Sequence, residues 1–165
     1  WSWREDGSDD WRASPDMSRW WSMSGVGTHM LDQILWFLSP GCGEVVEVAS
    51  VLSRERWGGP HDETAVVALR FESGATAEFC SSVLIDAPSR FELYGSEGWV
   101  VGRDVVSEGG AGSVESRHGA MAFEPADPYL GEIDDFARAV RDGRPPEVDG
   151  HMGRRNCALM LRAIG

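Results

Sequence analysis

Residues 63–79 read ETAVVALRFESGATAEF, and the period of this stretch decides the fold. From 64 to 72 the residues alternate: Val67, Leu69 and Phe71 share one face, and Ala68, Arg70 and Glu72 the other. That is the pattern of a half-buried strand. Ser73-Gly74 is a two-residue turn signal, after which Ala77, Phe79, Ser81, Val83 and Ile85 line one side of a second strand. Working outward, residues 44–53 form a valine-rich strand before this hairpin. Phe91–Tyr94, a Gly95-Ser-Glu-Gly98 turn and a strand from Trp99 to Val106 follow it. Five consecutive strand-like segments joined by short turns predict an antiparallel, meandering sheet.

Helical periodicity flanks the strands. Met30, Leu31, Ile34, Leu35 and Leu38 form an apolar stripe over 28–38, with His29, Asp32, Gln33 and Trp36 on a second face. Thr28 reads as the N-cap and Pro40-Gly41 as the stop. A second helix starts at Asp127-Pro128, places Tyr129, Ile133, Phe136, Ala137 and Val140 on one face, and stops at Gly143 before Pro145-Pro146. A third runs from about Gly150, with Cys157, Met160, Leu161 and Ile164 as its stripe. Residues 107–120 read as a mobile Gly/Ser-rich surface loop, and the tryptophan-rich first 24 residues as a short strand or arm and a loop. The expected architecture is one α+β domain over 1–165, an open, mainly antiparallel sheet with helices on one face.

Composition narrows the function. The 165 residues carry 15 arginines, no lysine, 27 acidic residues and a net charge of −12, with no basic stripe for nucleic acid. Without lysine, Schiff-base chemistry and a lysine acid or base are excluded from these residues. The longest apolar run, Ile34–Leu38, is far too short for a membrane span. Cys42, Cys80 and Cys157 are odd in number and form no CxxC pair, which predicts three buried thiols in a reducing compartment. Trp1 opens a polar, acidic stretch without signal-peptide character, so a cytoplasmic location is expected.

The segment Ser24-Gly-Val-Gly-Thr-His-Met-Leu-Asp-Gln33 is the most pointed candidate for chemistry. Gly25 and Gly27 permit close approach or positive φ, and the following helix is expected to aim its first N–H groups at the same space. His29 in the first turn could exchange a hydrogen bond with a substrate hydroxyl, with Asp32 on the same face. The plain alternative is a capped surface histidine and an aspartate that complements the helix dipole. Trp11-Arg12 could clamp a carboxylate or hydroxyl-rich ligand, or form a surface ion pair. His61-Asp62-Glu63 has metal-ligating residue types, but adjacent residues cannot all face one ion, so a turn before a strand is expected and no metal site. The N-terminal tryptophans could also stack on sugars, as a free-standing carbohydrate-binding module would.

Trp11-Arg12, GVGTHMLDQILWFL (25–38), ETAVVALRFESGATAEF (63–79), FELYGSEGWVVGRD (91–104) and the two closing helices occur in the order and spacing of a known family. Together they resemble the C-terminal half of the glucose-fructose oxidoreductase / inositol dehydrogenase / MocA family over nearly the whole chain. The resemblance implies a substrate-binding and oligomerisation domain, a fragment of a longer two-domain chain whose missing N-terminal Rossmann domain binds most of the NAD or NADP. It implies hydride transfer with a sugar, cyclitol or related polyol, and a homo-oligomer formed through the sheet face. His29 matches the family's substrate-contacting histidine. Trp11, Arg12, Gly25, Gly27, Thr28 and Asp32 would line the substrate. The family's catalytic lysine lies in the Rossmann half. Many relatives have an aspartate four residues before the histidine, where this chain has Gly25; that departure keeps open a non-catalytic sensor or adaptor as the alternative.

Overall fold

A computed structural model describes residues 11–18, 20–106 and 109–165. The expected N-terminal strand or arm, with Trp1 and Trp3, lies outside the described residues. The chain forms two compact units, one of residues up to Asp86 together with Gly150–Gly165 and the other of Ala87–Asp149.

In the first unit β1 (Val45–Ser53), β2 (Thr64–Phe71) and β3 (Thr76–Ser82) pair antiparallel in that order. The period-two reading holds residue by residue: Ala65, Val67, Leu69 and Phe71 are buried along β2, and Phe79 and Ser81 along β3. The register sets Val67 opposite Phe79 and Leu69 opposite Ala77, so both strands turn their apolar sides the same way. β3 ends at Ser82, short of Val83 and Ile85. On the covered face lie α1 (Thr28–Cys42) and α3 (Gly150–Ile164). The α1 stripe of Leu31 and Leu35, flanked by Met30, Ile34 and Leu38, joins Val67, Leu69, Phe71 and Phe79 in one core. At about 1.5–3 kcal/mol for each large apolar side chain fully buried, this cluster is the main stabilising term of the unit.

Both ends of α1 differ from the sequence reading. A π-helical turn, Met23–Gly27, runs directly into α1, so Thr28 is not an N-cap and its N–H bonds back to Met23 and Val26. The cap comes from far along the chain: Asp62 accepts from the N–H of Trp21 (3.0 Å) and of Met23 (2.8 Å), and its own carbonyl accepts from Ser22 (3.0 Å). At the other end Pro40 lies inside the helix, where it forfeits only its own N–H bond. The chain leaves at Gly43, with φ +79 and its N–H on the Ser39 carbonyl.

α3 is rotated from the expected stripe. Asn156, Leu159, Met160 and Ala163 are buried, whereas Cys157 and Leu161 are exposed. Its C-terminal turn is stitched to β1 by Arg162, which donates to the carbonyls of Val45 (3.3 Å) and Val46 (3.0 Å), and by the Ser50 hydroxyl on the Ala163 carbonyl. The expectation of three buried thiols fails. Cys80 lies on the outer side of β3, Cys157 on the solvent side of α3, and Cys42 is half-buried at a helix end.

In the second unit β4 (Arg90–Gly95), β5 (Gly98–Arg103), β6 (Ser113–Ser116) and β7 (Gly119–Met121) form a separate antiparallel sheet. β5 ends at Arg103, before Val106. The expected 107–120 loop contains β6 and β7, because its short Ser/Glu/Val stretch pairs with the edge of β5; residues 107 and 108 lie outside the described residues. α2 (Pro128–Asp142) starts as read, with the Asp127 carboxylate accepting from Tyr129 (2.9 Å) and Leu130 (3.1 Å), and stops at Gly143. Its expected core face is open instead: Tyr129, Ile133, Phe136 and Val140 are each more than half exposed, and Ala139 is the buried residue of the helix.

Gly27 is a point of close approach between the helical arm, residues 21–27, and the sheet. A Cβ there would stand 3.0 Å from Met23 Sδ, 3.1 Å from Ser81 Oγ and 3.3 Å from Phe79 Cε2. Gly27→Val is therefore expected to destabilise the fold by about 1–3 kcal/mol through overpacking, measured by urea denaturation. A midpoint equal to wild type would contradict this packing.

Candidate functional site

Gly25, Gly27, Thr28, His29 and Asp32 lie around the start of α1. The capped amides leave Met23 fully buried, and its neighbour Ser22 shares a hydrogen bond with Ser81 (2.8 Å) on β3. The π-helical turn that follows carries Gly25 and Gly27. Neither glycine has positive φ, and the Gly25 N–H donates to the Trp21 carbonyl (2.9 Å). The glycines do not precede the helix but lie in it: the backbone closes into a π-helical turn, and the close approach at Gly27 is to β3. π-Helical turns are rare, and they occur often at functional sites.

His29 is exposed on the first turn of α1. Thr28 and Asp32, on the same turn, are half-buried and meet through Asn156 of α3. Asn156 Nδ2 donates to the Thr28 carbonyl (3.1 Å) and to Asp32 Oδ1 (3.5 Å), and its Oδ1 accepts from Thr28 Oγ1 (3.5 Å). Trp11 and Arg12 stand on a short 3₁₀ turn, Trp11–Ala13, with the Arg12 guanidinium 4.2 Å from the Trp11 ring centroid. This stack holds the arginine's planar fork against an exposed aromatic face. The structure thus joins Thr28 and Asp32 through one side chain and pairs Trp11 with Arg12, while His29 faces solvent beside the first group.

Two residues that organise the site escaped the sequence reading. Asn156 carried a usable signal, a polar residue one turn before Leu159 and Met160 on the helix's buried side. Asp62 carried none as a cap, since its partners lie about forty positions earlier in the chain. Glu63 is engaged in the same manner, accepting from the N–H of Arg56 (2.7 Å) and Trp57 (2.6 Å). With both carboxylates bound to backbone, His61-Asp62-Glu63 is a turn that braces the arm and the 54–63 loop. Among the described residues no group of three or more His, Cys, Asp or Glu is placed to hold a metal ion. Trp21 packs on Trp57 at 4.8 Å between ring centroids, closing the loop over the arm. Of the tryptophans proposed as a sugar platform, Trp21 is therefore core, Trp20 is half-buried and Trp11 is exposed.

This is an α+β domain whose helical arm and capping loop present a small polar cluster beside an exposed histidine. The family model described as GFO/IDH/MocA C-terminal domain matches residues 1–101, and the chain belongs to that family. It is 33% identical over 142 residues to the myo-inositol 2-dehydrogenase of Thermotoga maritima, covering 81% of this chain and 42% of that protein. It is 27% identical over 165 residues to D-xylose 1-dehydrogenase (NADP(+)) 2 of Haloferax volcanii, covering 96% of this chain and 48% of that one. The aldose-aldose oxidoreductase of Caulobacter crescentus, solved with glycerol, has the same fold at a TM-score of 0.81 and 23% identity, over 94% of this chain and 48% of that structure. The chain thus spans less than half the length of these relatives. The Gly25-Val-Gly27 amides sit inside a helical arm and offer no phosphate cradle. Among the described residues no helix is long and apolar enough to cross a membrane.

Burial pushes the Asp62 carboxyl above its ordinary 3.8, against the pull of the Trp21 and Met23 N–H groups. With the folded value raised, folding takes up a proton at this site in the window above 3.8. Asp62 therefore contributes most at low pH, and that contribution declines as pH rises through the window. Asp62→Ala also strands two buried N–H groups, at about 1–3 kcal/mol each. Denaturation of both proteins from pH 3.5 to 7 should show the variant less stable throughout, with the gap narrowing as pH rises. A gap that widens with pH would overturn the assignment.

Proposed function

We propose that this domain is the substrate-binding and oligomerisation half of an NAD(P)-dependent oxidoreductase that transfers hydride to or from a sugar, cyclitol or related polyol. The single observation that carries the reading is the exposed His29 on a helix turn braced by Asn156 and by the Asp62-capped arm. An imidazole there can donate to or accept from a substrate hydroxyl without leaving its helix. The stacked Trp11–Arg12 pair offers an apolar ring for a sugar face and a fork of donors for hydroxyls or a carboxylate. Thr28, Asp32 and the half-buried Gly25 complete the substrate side, whereas Gly27, expected there as well, is buried against β3. The chain holds no lysine, so a lysine acid or base is assigned to the other half of the parent protein, together with most of the nucleotide site. Steady-state assays of the parent protein on a panel of sugars and polyols with NAD and NADP test the reading. His29→Ala is expected to lower kcat by roughly 10–100-fold, and unchanged turnover removes His29 from the mechanism.

A second reading, a sensor or adaptor that binds without turnover, is favoured by Gly25. It has no side chain to serve a proton relay, and its N–H is committed to the Trp21 carbonyl. Calorimetric binding of nucleotide and sugar with no redox conversion would support this reading over the first.

Oligomerisation is assigned to the outer face of β1–β3. Val51, Val66 and Cys80 are register neighbours there, beside Ala49 and Ala68, and all five are exposed. Uncovered apolar sheet surface of this kind favours a self-complementary contact. Light scattering at micromolar concentration should show an oligomer that Val66→Glu dissociates. A monomeric wild type overturns the assignment.

A further inference from the structure

We propose that Asn156 of α3 is a positioning residue for this site, a role that rests on the reading of His29 as the group that orients the substrate. The rest of the buried side of α3 is apolar, formed by Leu159, Met160 and Ala163. A fourth apolar side chain at 156 would extend that stripe with no polar group to desolvate, whereas a buried carboxamide is tolerated only when it is hydrogen-bonded. Among the described residues its side-chain hydrogen bonds fall on the first turn of α1: the Thr28 carbonyl (3.1 Å), Asp32 Oδ1 (3.5 Å) and Thr28 Oγ1 (3.5 Å). Their chemistry orients the amide, since a carbonyl and a carboxylate both require the N–H side and the hydroxyl takes the oxygen.

The clamp does what helix formation alone does not. Within an α-helix the carbonyl of residue 28 is already an acceptor for the N–H four residues later, so Asn156 is not needed to satisfy it. What Asn156 adds is a tie from α3 to the Thr28 carbonyl, with longer contacts to the Thr28 and Asp32 side chains, and so a fixed azimuth for the turn. His29, about 100° around the helix from Thr28, inherits that azimuth. Misplacing a group that orients a reacting centre by an ångström can cost on the order of a hundredfold in rate. Asn156 therefore acts on the reaction through His29, without touching substrate.

The test uses the parent protein with Asn156→Asp and Asn156→Ala. Asparagine and aspartate have the same shape, but a carboxylate has no donor for the Thr28 carbonyl and is repelled by Asp32. Both variants are expected to lower kcat by about tenfold or more while KM stays within about twofold, the split that misorientation predicts. Amide hydrogen exchange is expected to quicken at residues 28–33, with β2 and β3 keeping wild-type protection. Wild-type kcat in both variants overturns the proposal, and so does exchange that quickens uniformly through β2 and β3, the mark of a merely structural residue. A wild-type parent that turns over no substrate overturns the reading of His29 instead. The exchange pattern then decides the clamp by itself.

Discussion

The first unit depends on one carboxylate. Asp62, on the loop between β1 and β2, spans the first N–H groups of the helical arm with its two oxygens and adds its own carbonyl to Ser22. Unbonded helix-end amides in a buried position are expensive, and no residue next to the arm satisfies these. Only with that cap can Met23 enter the core, the π-helical turn form, and α1 start where its stripe meets β2 and β3. The desolvation that raises the Asp62 carboxyl is the cost of placing the cap inside.

The same constraint explains the character of the site. Because the arm is held at both ends of its path, by Asp62 at its start and by the Gly27 contact with β3 at its close, the turn bearing Thr28, His29 and Asp32 emerges at a set height on the sheet. α3 then supplies Asn156 from more than a hundred residues away. A family that varies its substrates can keep such a frame and change the side chains it presents.

Much of the frame was legible in the residues. The alternation over 63–79 located β2, the turn and β3, and the inward set of Val67, Leu69, Phe71 and Phe79 followed from it. The α1 stripe and the Asp127 cap of α2 were legible because each depends on neighbours within a turn. The start of α1 was not, since Thr28 offers a convincing local cap while the operative one lies at Asp62. The α3 stripe was misread by about one position because Cys157 and Leu161 look apolar, and the polar Asn156 was set aside. β6 and β7 hid in a Gly/Ser-rich stretch, because strand pairing there is licensed by the free edge of β5 and scarcely by side-chain propensity. The α2 stripe formed as read, yet its apolar side chains are exposed: periodicity reports which residues share a face, not what covers it.

By itself, the sequence determined the hairpin period, the α1 stripe, the α2 boundaries and the absence of lysine. These depend on residues within one or two turns of each other. Only the tertiary structure decided that Gly25-Val-Gly27 is helix and not loop, that Asp62 is its cap, that Asn156 joins Thr28 to Asp32, and that Cys80 and Cys157 lie outside the core. Each of those outcomes requires satisfying a buried polar group, or filling a space, with a partner distant in sequence, and no local pattern encodes such a partner.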